Sequence, residues 1–173
     1  NFVAESMIGN ECINVTKPEI TLELFADRSN FKLYLGDTGL LVTQIMRNAD
    51  ETDENLYKSL IFDKLSVNQG MIIENIVAQM LKVSGYDLYF HEFLHMPNGS
   101  DKEKKYEIDF MIVKSKKICP IEVKSSGYKS HKSFDYLIDK YKLKTSDKYI
   151  IYTKDFKEED GITYIPLYMA GLL

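Results

Sequence analysis

Apolar and polar positions along this chain change period several times, and the changes mark its elements. Residues 1–30 carry little pattern beyond Pro18 and a short apolar run at 20–25. They read as a connector from an absent upstream region, with the folded domain expected over 31–173. FKLYLGDTGLL (31–41) alternates at Leu33 and Leu35, then meets Gly36 and Asp37, a strand running into a helix start. NADETDE (48–54) is an acidic break, and NLYKSLIFDKL (55–65) has helical spacing. The clearest helix is QGMIIENIVAQMLKVSG (69–85). Ile73, Val77, Met80, Leu81 and Ser84 form one stripe, Ile72 and Ile76 widen it, and Gly85 stands where a left-handed residue closes a helix.

The period then shortens. YDLYFHEFLHM (86–96), YEIDFMIV (106–113) and ICPIEVKSS (118–126) read as strands, separated by a Pro-Asn-Gly-Ser loop and by KSKK (114–117). HKSFDYLIDKYKL (131–143) returns to helical spacing through Phe134, Leu137, Ile138 and Tyr141, and KYIIYT (148–153) and GITYIPLYM (161–169) are further strands. The order is helix, three strands, helix, strand. The loops between the first three strands are too short for crossover helices, so an α/β domain with a mixed central sheet flanked by helices is expected.

Composition narrows the class. With 45% apolar and 28% charged residues, 173 residues can bury a core, which excludes wholesale disorder. No apolar run approaches the roughly 20 residues of a membrane helix, and two unspaced cysteines, Cys12 and Cys119, suit a reduced cytoplasmic protein without a membrane partner. The chain starts at Asn1 rather than Met and is expected to be a piece of something longer. The net charge of −4 hides an asymmetry. Residues 1–101 hold 7 basic and 15 acidic side chains, whereas 102–157 hold 15 lysines against 8 acids. Such a basic stretch suits a polyanion, although lysines also simply solvate a surface.

The chemistry concentrates in one hairpin. If KSKK is its loop, Val113 faces Ile118, Asp109 faces Glu122, and Glu107 faces Lys124. Ile108, Phe110 and Ile112 would fill one face, with Met111 and Val113 making the other apolar beyond Asp109; the strand is then central. Two opposed carboxylates there are unfavourable unless a cation sits between them or one is protonated. Hard oxygen ligands at that spacing suit Mg²⁺ or Mn²⁺, with Lys124 beside them.

Asp109 followed by Glu122, Val123 and Lys124 resembles the D…E-x-K signature of the PD-(D/E)XK nuclease superfamily, whose restriction-endonuclease-like core has the same αβββαβ order. Members commonly carry another Glu on the first core helix, and Glu74 fits that place; Ile108 stands where the signature's nominal Pro would be. The run from YLGDTGLL through GMIIENIVAQML and YEIDF to PIEVKSS also resembles a domain of unknown function found C-terminal to the AAA+ module of bacterial and archaeal ATPases. The resemblance implies Asp109 and Glu122 as metal ligands with the Val123 carbonyl as a third, Glu74 holding a water, and Lys124 acting in catalysis. It implies Mg²⁺- or Mn²⁺-dependent phosphodiester hydrolysis on DNA beside an upstream AAA+ module, with ATP bound only in that module. The alternative is a degenerate domain that keeps the fold and binds DNA or a protein partner to regulate the ATPase. An RNA-directed or toxin-like nuclease would use the same residues, and a homodimer would suit cutting both strands.

Other signals compete. His91-Glu92-Phe93-Leu94-His95 is a literal HExxH, but zinc binding needs it on a helix; in a strand the two histidines stand about 13 Å apart, and both read as strand surface. Lys129 and Lys132, with Ser125 and Ser126, are candidate phosphate contacts; solvated lysines and turn serines need no such role. His131 starts the second helix, Gly127 suits a turn, and Tyr128 reads as a half-buried loop ring or a base-stacking one. No GxxxxGK[ST] phosphate loop occurs in the chain.

Overall fold

The computed structural model describes residues 8–47, 69–97, 99, 101–128, 130–143 and 147–173. The acidic break at 48–54 and the helix expected at 55–65 lie outside these residues. Eight strands form one mixed sheet in the order β2-β1-β3-β4-β5-β6-β8-β7. They are β1 (Gly9–Val15), β2 (Ala26–Leu35), β3 (Leu88–His95), β4 (Lys104–Lys114), β5 (Lys117–Lys124), β6 (Tyr149–Tyr152), β7 (Lys157–Glu159) and β8 (Ile162–Pro166). β1–β3, β5–β6 and β6–β8 pair in parallel, and the other neighbours are antiparallel. Helices α1 (Thr38–Arg47), α2 (Gln69–Val83) and α3 (Lys132–Tyr141) complete the described core, with 3-10 turns at Leu22–Phe25 and Leu167–Leu172. From α2 to β6 the helix, three-strand, helix, strand order is present.

The connector expected over 1–30 is corrected. Residues 9–15 are β1, paired with β2 on one side and in parallel with β3 on the other, and β2 already begins at Ala26. The local pattern conceals this because β1 is specified by distant partners: Cys12 and Val15 are fully buried, while the polar Asn14 is buried between them and accepts the Glu92 N–H at 3.1 Å. β7 is likewise an addition to the expected elements, and the last expected strand is shorter, turning into a 3-10 segment after Pro166.

The sheet is covered on both faces. Ile73, Val77 and Leu81 of α2 pack with Cys12, Phe90, Phe110, Ile121 and Ile151, and the C-terminal 3-10 segment closes the same side through Ala170. Phe134 and Leu137 of α3 pack on the opposite face with Val15, Phe93, Ile108, Met111 and Ile150. Val77 and Leu81 are fully buried, each contributing about 2 kcal/mol of apolar transfer. α2 ends as its glycine predicts. Gly85 has φ 90°, its N–H donates to the Lys82 carbonyl, and the Tyr86 N–H reaches back to Leu81, both closing orphan carbonyls. α2 also buries a polar side chain: Asn75 accepts the Leu35 N–H at 2.7 Å and donates to the Leu35 carbonyl and Thr38 Oγ1, pinning the β2–α1 corner to the core helix. No helix among the described residues is long and apolar enough to cross a membrane.

Candidate active site

β4 and β5 lie at the centre of the sheet, and their turn sets the register. Ser115 and Lys116, at φ 52° and 59°, make a two-residue turn whose left-handed conformation matches the twist of the flanking strands. Lys114 therefore faces Lys117, Val113 faces Ile118 and Phe110 faces Ile121. The register expected from the sequence holds this far, although the KSKK loop is tighter than four residues.

Beyond Phe110 the pairing changes. Toward β3, Tyr89 faces Met111 but His91 faces Ile108, so β4 accommodates one extra residue at this point. Ile108 and Met111 consequently share the α3 face while Phe110 and Ile112 face α2. This bulge overturns the regular alternation expected for Ile108, Phe110 and Ile112, and it re-aims Asp109. Asp109 Oδ2 accepts the Val123 N–H at 2.7 Å, so a side chain takes that donor just beyond the last β4–β5 pair, Phe110 with Ile121.

Carboxylates gather at this opening. Asp109 is half-buried. Burial, then the charges of Glu74 and Glu122, push Asp109 up to about 7 against the opposing Val123 N–H and Lys32. Glu74 projects from α2 and accepts the Tyr34 hydroxyl at 3.2 Å. Burial raises its pKa, with Lys32 and that hydroxyl opposing. Glu122 is 1% exposed. Lys124 Nζ stands 2.8 Å from its Oε2 as an ion pair, yet neither carboxylate oxygen has an aligned hydrogen-bond donor among the described residues. Burial opposes the Lys124 charge, but Glu122, Asp109 and Glu74 together hold its pKa above the ordinary lysine value.

A second lysine completes the cluster. Lys32, on edge strand β2, pairs with Glu107 and lies over the Phe90 ring at 5.0 Å from its centroid. Burial works against its charge, while Glu107, Glu74 and Asp109 favour it and win. Glu107 is thus partnered by Lys32 rather than standing opposite Lys124 as expected. The structure therefore brings Glu74, Asp109, Glu122 and Lys124 into one electrostatic group and adds Lys32 and Tyr34, which the sequence did not single out. Clefts of about 510 Å³ beside Pro18 and Lys116 and about 360 Å³ beside Glu23 and Arg28 include none of these side chains.

Ser125 is half-buried and Ser126 exposed just after β5, Lys132 is exposed at the start of α3, and Lys129 lies outside the described residues. His131 precedes α3 without a side-chain cap and stands 3.6 Å from Asp135. The HExxH segment is strand β3, so its histidines do not share a face one helical turn apart. The surface position expected for His91 is corrected. It is fully buried, between the Val15 carbonyl at 2.6 Å and the Tyr141 hydroxyl at 3.0 Å; His95 stacks on Tyr136. Tyr128 is half-buried, with Lys154 donating to its hydroxyl at 3.0 Å. Cys12 and Cys119 are both buried free thiols.

The profile of a family described as Domain of unknown function (DUF4143) matches residues 69–170. The chain belongs to that family. No curated protein and no solved structure matches it. The DUF4143 match opens on α2 and closes in the C-terminal 3-10 segment, so it contains Glu74, Asp109, Glu122 and Lys124. β1 and β2, with Lys32 and Tyr34, precede it although they belong to the same sheet.

Proposed function

We propose that this DUF4143 chain is a nuclease-like domain of the restriction-endonuclease-like class, hydrolysing phosphodiester bonds of DNA with a divalent cation. The observation that carries the reading is Glu122: a carboxylate 1% exposed, with no aligned donor on either oxygen among the described residues, beside Asp109 at the opening of a central hairpin. Lys124 Nζ at 2.8 Å offsets one charge, and the buried Glu122 and Asp109 carboxylates together leave negative charge that a divalent cation would offset.

The residues fit such an ion. Among the described residues Glu74, Glu107, Asp109 and Glu122 are met by Lys32 and Lys124, so this group, fully ionised, carries a surplus of two negative charges. No three Asp, Glu, His or Cys side chains among the described residues form a ready cage. Such an ion would therefore need water and phosphate oxygens to complete its shell. Asp109 and Glu122 would hold it, with the Val123 carbonyl as a third donor. When bound, Mg²⁺ or Mn²⁺ supplies charge neutralisation at a phosphodiester.

The chain's own groups do the rest. Lys124, kept charged by Glu122, stabilises negative charge developing on the phosphorus oxygens. Glu74, more basic than an ordinary carboxylate and oriented by the Tyr34 hydroxyl, accepts a proton from the attacking water. The lysines of 102–157 supply the polyanion-binding field, and the upstream AAA+ module, its ATP and a homodimer belong to the same proposal.

The Lys124–Glu122 and Lys32–Glu107 ion pairs favour a second reading, in which lysines have replaced the metal and the domain only binds DNA or a protein partner. Calorimetric titration with Mn²⁺ and Mg²⁺ separates the two. Saturable binding abolished in Asp109→Ala/Glu122→Ala, with cleavage of linear or branched DNA lost in Lys124→Ala, is the expected result. A folded protein that binds no cation with or without DNA establishes the second reading.

A further inference from the structure

We propose that Lys32 is a substrate-binding residue, a second cationic contact for the DNA backbone on the side of Asp109 away from Lys124. The inference rests on the nuclease-like reading and adds a residue from outside the DUF4143 match. Lys32 starts on β2, and β1 and β3 separate that strand from β4. Its Cα partner on β1 is Cys12, a small and fully buried side chain, and the Lys32 Nζ lies over the Phe90 ring. Only a long side chain crossing small and flat neighbours makes this span to Glu107, at strand spacings of about 4.8 Å.

Stability alone does not account for the reach. A half-buried ion pair roughly breaks even against an apolar pair of similar size, because desolvation offsets the Coulomb gain. What the span achieves is an ammonium delivered to the edge of the carboxylate group, with 27% of the side chain in solvent. Lys124 does the same from β5, with 29% of its side chain in solvent and its own acidic partner. In sheet order the two lysines bracket Asp109, one arriving from the β2 side and one from β5. Glu107 holds Lys32 in place without neutralising the group, since the acids outnumber the two lysines. Once a divalent cation satisfies Asp109 and Glu122, the next anion to meet Lys32 is a backbone phosphate.

The test is the salt dependence of binding to a short labelled DNA duplex, read by fluorescence anisotropy in Ca²⁺ on the full chain. Lys32→Gln is expected to make the slope of log K against log salt shallower by about 0.9 and to weaken binding about eightfold near 0.1 M salt, equally for unrelated sequences. Lys32→Arg is expected to restore both. Glu107→Gln, which frees the ammonium, is expected to tighten binding in the wild-type background and not in Lys32→Gln. Affinity and slope unchanged in a folded Lys32→Gln, with loss in Lys124→Gln, overturn the Lys32 assignment and leave the nuclease-like reading standing. A wild-type chain that does not bind the duplex, or binding unchanged in both variants, overturns both.

Discussion

Asp109→Asn isolates the cost of the buried carboxyl. Burial and the neighbouring Glu74 and Glu122 charges raise Asp109 from 3.8 to about 7. The folded chain therefore keeps a proton over a pH range in which the unfolded chain has released it. Stability from the neutral carboxyl is complete below the unfolded value near 3.8 and is lost as pH rises through about 7. About three pKa units at 1.36 kcal/mol each give up to about 4 kcal/mol, an upper bound because part of the residue meets solvent. Asparagine keeps the shape and can still accept the Val123 N–H, but never charges. Urea unfolding in EDTA should find Asp109→Asn within about 1 kcal/mol of wild type near pH 4 and more stable by up to about 4 kcal/mol near pH 8.5. The corresponding rise in melting temperature is about 10 °C for a chain of this length. Excess Mn²⁺ should close the gap by stabilising only the wild type. A difference independent of pH, or an asparagine variant less stable at high pH, refutes the account of the site as repelling carboxylates.

Asn75→Ala removes a buried side chain that holds both backbone groups of Leu35, and urea unfolding should show a loss of about 3 kcal/mol, with β2 and α1 exchanging their amide hydrogens faster than α3. His91 titrates in the opposite sense to Asp109. Burial holds its pKa below 6.5, so the stability it allows is present above that value and lost as pH falls, and His91→Gln should flatten the acid limb of the stability profile. Gly85→Ala meets no neighbour within 4 Å but must adopt φ 90°, so its cost of about 1 kcal/mol should arise from backbone strain alone and appear as a lower urea midpoint with unchanged slope.

The parts legible in the sequence are those whose partners are close along the chain. The α2 stripe, its glycine cap and the β4–β5 hairpin follow from local period and turn chemistry, and the hairpin register survives to Phe110. What is not legible is decided by distant neighbours. The bulge at Asp109 is set by pairing with β3, yet Ile108, Phe110 and Ile112 spell a regular strand. In β2 the alternation of Leu33 and Leu35 suggests the inward face, whereas Tyr34 is the side chain buried against the core and Leu33 is 46% exposed. Lys32 shares Tyr34's face and meets Glu107 across 75 residues of sequence. His91 reads as surface because an imidazole in a strand usually is; its burial depends on a carbonyl from β1 and a hydroxyl from α3.

These long-range contacts bear on how much chain the site needs. A chain trimmed to residues 69–170 would retain every residue of the D…E-x-K signature and Glu74. It would lose β1 and β2, exposing the parallel edge of β3 that Cys12, Ile13 and Asn14 now cover. Glu74 would lose the Tyr34 hydroxyl, and Asp109 and Glu107 would lose Lys32, leaving four carboxylates facing one ammonium. The group's surplus negative charge would rise from two to three. Loss of residues 171–173 at the other end would cut away the Tyr86 hydroxyl's acceptor, the Leu173 carbonyl. The trimmed chain should therefore associate through β3 in sedimentation velocity, while the 173-residue chain carrying Lys32→Met should keep its sheet and shift its cation affinity upward. If the trimmed chain were instead monomeric and as stable as the full one, β1 and β2 would be an appendage and Lys32 an incidental neighbour of the site.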